Sequence, residues 1–60
     1  MKVRDIVREI EADGWQLFAS KGGHRQFVHP MKPGRVTVPG HRSDEVHPKT
    51  LKSIRKQAGL

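Results

Sequence analysis

Ten consecutive residues, Lys21-Gly22-Gly23-His24-Arg25-Gln26-Phe27-Val28-His29-Pro30, hold the side chains of this 60-residue chain best suited to chemistry. His24 follows a Gly-Gly step and is flanked by Lys21 and Arg25. Histidine gives or takes a proton near neutral pH. Gly22 and Gly23 let a ligand come close to the backbone, and successive N–H groups in such a turn form an anion-binding nest. Lys21 and Arg25 add cations for phosphate oxygens. A phosphate held beside a histidine is the minimum needed to cleave RNA. The imidazole either deprotonates the ribose 2′-hydroxyl or protonates the leaving 5′ oxygen. Because that hydroxyl is an internal nucleophile, no metal is required. The plainer reading of the same stretch is an ordinary surface histidine after a hairpin turn.

Other chemistries find less support. The chain has no cysteine, so disulfides and thiolate metal sites are excluded. Its other histidines, His29, His41 and His47, and its six acids are scattered, without an H-x-x-x-H pattern on a helix, and no metal site is expected. Ser20, Ser43 and Ser53 lack any nucleophile-elbow motif. His29 and His41 are candidate second proton carriers or simply polar residues at strand ends; His47 reads as a helix-entry residue. Lys49, Lys52, Arg55 and Lys56 form a basic helix face with no acid in that helix. Such a face is either solvated or lies along phosphates. Readout of bases by stacking is not expected, because only Trp15, Phe18 and Phe27 could stack and two of the three are expected to be buried.

The net charge of +6 and the pI of about 10.6 favour nucleic acid as a ligand, with an acidic protein partner compatible. Anionic lipid is the weakest option, since neither helical segment carries an aromatic-rich apolar face. No segment approaches the roughly 20 apolar residues of a membrane span. No apolar run follows Met1-Lys2-Val3-Arg4-Asp5, so no signal peptide is expected and the expected location is the cytoplasm. Sixty residues suit one domain with a thin core.

The elements that must position His24 follow from periodicity. Val3, Ile6, Val7 and Ile10 recur at helical spacing over residues 2–13, and Gly14 ends that helix. Trp15 to Lys21 alternates, with Trp15, Leu17 and Ala19 expected on one face of a strand and Gln16, Phe18 and Ser20 on the other. Gly22-Gly23 is a hairpin turn. A second strand over His24 to His29 places His24, Gln26 and Val28 on one face and Arg25, Phe27 and His29 on the other. A looser turn with Pro30, Lys32 and Pro33-Gly34 leads to a third strand, Arg35 to Val38. After a polar loop, His41 to His47, Pro48 opens a second helix running to about Ala58, with Leu51, Ile54 and Ala58 as its apolar stripe. Short connections favour an antiparallel meander. The expected fold is α+β: an α-β-β-β-α two-layer sandwich with both helices on one face of a three-stranded sheet.

Taken in order, the residues resemble a known family. Asp13-Gly14-Trp15, Gly22-Gly23-His24-Arg25-Gln26-Phe27, His29-Pro30, Gly34-Arg35-Val36-Thr37-Val38-Pro39 with His41, Thr50-Leu51-Lys52-Ser53-Ile54 and the tail Gln57-Ala58-Gly59-Leu60 resemble the HicA toxins, across essentially the whole chain. The resemblance implies a fold like the double-stranded RNA-binding domain and an mRNA interferase that stops translation. It implies a HicB-type antitoxin that masks the toxin, and contact with operator DNA only through the toxin–antitoxin complex. The family's functional histidine matches His24. Gly23 stands where the family usually has serine, and Pro48 where a glycine is common. On this reading His24 is the general acid or base. Lys21, Gly22, Gly23 and Arg25 lie near the scissile phosphate, and Lys49, Lys52, Arg55 and Lys56 hold the strand. The alternative function is a non-catalytic RNA-binding module of the double-stranded RNA-binding type.

Overall fold

A computed structural model describes residues 1–60. Its elements are α1 (Val3–Ala12), β1 (Gln16–Lys21), β2 (His24–Val28), β3 (Val36–Pro39) and α2 (Pro48–Gln57). The order and the antiparallel sheet, β1-β2-β3, are those expected from the periodicity.

In α1, Val3, Ile6 and Ile10 are buried and Val7 is half-buried against them. The Asp5 carboxylate accepts the Lys2 backbone N–H at 2.9 Å, which satisfies a donor that the first turn leaves open. The helix stops at Gly14, whose φ of +112° is costly for a side chain. Space forbids one as well, because a Cβ there would stand 2.7 Å from the His29 Nε2. The reversal delivers Trp15 into the core just ahead of β1, so Trp15 is an anchor between elements rather than the first strand residue.

The β1–β2 hairpin turns on Gly22 and Gly23, with φ of +55° and +82°, as a two-residue turn of the primed type requires. Lys21 pairs with His24, and Leu17 with Phe27. Between these pairs the register slips: Ala19, not Phe18, faces Gln26. Phe18 is the extra residue of a β-bulge, and the strict alternation expected along β1 fails there. Leu17 stays on the side of Phe27, while Ala19 joins Gln26 and Thr37 on the other.

Phe27, Val36 and Val38 form the buried face of the sheet, and α1 and α2 cover it. In α2, Pro48 occupies the first turn, and the His47 Nδ1 accepts the Lys49 backbone N–H at 3.1 Å. Ile54 and Ala58 are buried, with Leu51 half-buried. Every buried residue is apolar. Removing Trp15 or Phe27 would cost roughly 3–5 kcal/mol, against a total of only about 3–9 kcal/mol at this length. Arg55 bridges the helices by donating to both Glu9 carboxylate oxygens, at 2.7 and 2.9 Å. No helix is long and apolar enough to cross a membrane.

Candidate nucleic-acid interface

His24 opens β2 on the sheet face that the helices leave open. Its Cα partners are Lys21 across the hairpin and Pro39 across the other ladder. The side chain is exposed, and its imidazole makes no hydrogen bond within the protein. Around the turn there is room: a Cβ added at Gly22 or Gly23 would meet nothing within 4 Å. Space would therefore admit a serine at residue 23, but a φ of +82° disfavours it. Lys21, Gly22, Gly23 and His24 thus form one open, cationic corner, as their spacing predicts.

Arg25 does not join that corner. Strand alternation turns it to the helix-covered face, beside Val38, where it is half-buried. The cations of α2 lie in the helical layer, away from the open face. Lys49, Lys52 and Lys56 are exposed and unpaired, whereas Arg55 is engaged by Glu9. An acid-free helix therefore still has one cation neutralised, by a carboxylate from a different element. The pairing leaves its mark on both partners: the hydrogen bond from Arg55 holds the Glu9 carboxyl below its ordinary pKa, and the Arg55 guanidinium is raised in turn.

His29 and His47 are held by the fold, whereas the His41 imidazole is exposed and makes no hydrogen bond within the protein. The His29 Nδ1 accepts backbone N–H groups from Met31 at 2.9 Å and Lys32 at 3.1 Å. That assigns the proton to Nε2, which donates to the Asp13 carbonyl oxygen at 2.8 Å. The ring lies edge-on to Trp15, with centroids 5.2 Å apart, and its side chain is only 8% exposed. With both nitrogens engaged, His29 is unsuited to carry protons for a bound substrate. His41 sits in an exposed turn whose backbone N–H meets the Asp44 carboxylate at 2.9 Å. His47 caps α2. No three histidine or acidic side chains converge as metal ligands would.

Two features carry no clear signal in the sequence. On the open face, the Arg35 guanidinium lies 4.7 Å from the centroid of the Phe18 ring, which is 59% exposed, and donates to Gln26 Oε1 at 3.2 Å. On the other face, a trough of about 340 Å³ runs between α1 and the β1–β2 ribbon. Arg4, Arg8, Arg25 and Arg42 line it, Leu17 and Phe27 contribute apolar surface, and Glu11 is its one acid. The i, i+4 spacing of Arg4 and Arg8 is a visible hint. Arg42 offers none, since it comes from the polar loop after β3.

The geometry defines a small, strongly basic α+β domain that offers an exposed histidine at a glycine turn. Over residues 3–60 the chain matches the family model described as HicA toxin of bacterial toxin-antitoxin. It belongs to the HicA toxin family, and is thus the toxin component of a toxin–antitoxin system with an antitoxin as partner. No curated protein matches the chain.

Proposed function

We propose that the protein is an mRNA interferase, an endoribonuclease that inhibits translation by cutting mRNA, with His24 as its general acid or base. The observation that carries the reading is the unpartnered imidazole of His24 at the open Gly22-Gly23 turn, in a chain of a toxin family. Deprotonation of a ribose 2′-hydroxyl lets its oxygen attack the adjacent phosphorus. The 5′ oxygen then leaves and takes up a proton. His24 can serve either transfer, and Lys21, its cross-strand partner, is on hand for the phosphate oxygens. Lys49, Lys52 and Lys56 supply longer-range attraction for a polyanion. The antitoxin is of the HicB type and covers the toxin. Operator DNA is contacted only through that complex. The cell compartment is the cytoplasm, where mRNA is translated.

The test is induction of the wild type and of His24→Ala at equal protein level, following growth and intact mRNA, with cleavage by the purified proteins alongside. Wild type is expected to arrest growth and degrade mRNA. His24→Ala is expected to do neither, to cleave at least about 100-fold more slowly and to melt at the wild-type temperature, because the side chain supports no other residue. Full cleavage by His24→Ala would sink the assignment. The engagement of both His29 nitrogens favours one second reading, a non-catalytic RNA-binding module, because it leaves His41 as the one other candidate proton carrier. In that case the RNA stays intact with both proteins and binds both equally.

A further inference from the structure

We infer that the trough between α1 and β1–β2 is a binding site for the phosphodiester backbone of an RNA strand, held by Arg4, Arg8, Arg25 and Arg42. The inference rests on RNA being the ligand of this protein, and its test reads binding separately from cleavage.

Four guanidinium groups facing one trough repel one another, and a fold would ordinarily interleave carboxylates. This one does not. Of its six acids, Glu9 pairs with Arg55, Asp13 with Lys32 and Glu45 with Lys2, while Asp5 and Asp44 accept backbone N–H groups. Only Glu11 reaches the trough, and it forms no ion pair there. The carboxylates are thus committed elsewhere, and four arginines from a helix, a strand and a loop are left for an external anion. Arginine suits the role better than lysine, because its planar fork donates two parallel hydrogen bonds to phosphate oxygens.

The position favours a nucleic-acid strand over an acidic protein. Arg25 immediately follows His24, with the two Cα atoms about 3.8 Å apart, yet their side chains stand on opposite faces. At Arg25 only β1 separates β2 from the sheet edge, a distance of about 4.8 Å. A polymer with a charge at every repeat can pass the His24 corner, round the hairpin edge and settle into the trough. A protein partner that masks His24 need not follow this path.

The experiment measures filter binding of a labelled single-stranded RNA to the His24→Ala protein across a salt series. Two triple variants, each removing three positive charges, are compared: Arg4→Gln/Arg8→Gln/Arg42→Gln in the trough and Lys49→Gln/Lys52→Gln/Lys56→Gln on α2. Each phosphate contact with a single strand contributes about 0.7 to the slope of log K against log salt. The trough triple is expected to lose about two units of slope and at least tenfold in affinity, and the α2 triple less than half of each. Glu11→Gln is expected to bind more tightly than its parent. Equal losses in the two triples would reduce the trough to general charge and overturn the proposal. So would unchanged RNA binding by the trough triple, and most clearly if antitoxin binding were lost instead. If wild type cleaves nothing while these binding differences hold, the catalytic reading fails and the trough stands.

Discussion

His24 and His29 lie five positions apart and have opposite fates. His24 faces solvent with free nitrogens, while His29 ties the Asp13 carbonyl to two backbone N–H groups of the following loop. Replacing His29 with alanine removes three hydrogen bonds, each worth about 0.5–1.5 kcal/mol net, and the edge contact with Trp15. His29→Ala is therefore expected to lower Tm by about 6 °C or more, given about 4–8 °C per kcal/mol for a domain of this size. The cleavage rate per folded molecule should stay at the wild-type value. Calorimetry and a cleavage assay on the same preparation would check both. A large catalytic loss at unchanged Tm would return His29 to the role of proton carrier. The exposure of His24 is legible in the sequence, because a turn and its alternation are local. The role of His29 is not, because its partners at 13, 31 and 32 meet only when α1 and the β2–β3 loop come together.

At the scale of elements, both helices can be drawn from their apolar spacing, and the Gly22-Gly23 hairpin from its turn chemistry. The bulge at Phe18 cannot. Trp15, Leu17 and Ala19 alternate without interruption as letters, and nothing in their types marks where a ladder slips. The consequence for the site is direct, since parity beyond the slip decides which β1 residues accompany His24. Where α1 gives way to β1, Gly14 permits a left-handed turn and leaves room for the His29 ring. Gly14→Ala meets both obstacles at once. It is expected to destabilise the protein by about 1–3 kcal/mol for the backbone alone, and more for the displaced imidazole. Chemical denaturation would show a lowered midpoint at an unchanged slope. A wild-type midpoint would mean that the turn adopts another conformation.

Across the whole molecule, the +6 charge by itself points to a polyanion. How that charge is distributed is not legible in the sequence, because which cations are neutralised depends on long-range pairs such as Glu9–Arg55, 46 residues apart. The same pairs contribute to the loss of stability in acid. Glu9, Asp13 and Glu45 all have lowered pKa values, through hydrogen bonds from Arg55, Lys32 and Lys2 in turn. A carboxylate that is more acidic folded than unfolded stabilises the fold above its unfolded pKa. That contribution fades as pH falls through the folded value. Tm is expected to decline below about pH 4, where free carboxylates begin to protonate. The Arg55→Gln variant should start lower and decline less steeply, since Glu9 has lost its partner. A scan of Tm against pH for both proteins would check this, and parallel curves would remove Glu9 from the account.

Trp15 is the only tryptophan. Its indole N–H donates to the Ala58 carbonyl oxygen at 3.2 Å, and the Lys32 ammonium donates to the same oxygen at 3.1 Å. One fluorophore thus sits where the end of α1, the loop after β2 and the last turn of α2 are knotted together. Any event that parts these three segments, whether unfolding, acid or a partner prising α2 away, brings water to the indole and shifts its emission to the red. The chain carries its own label for watching those three segments part.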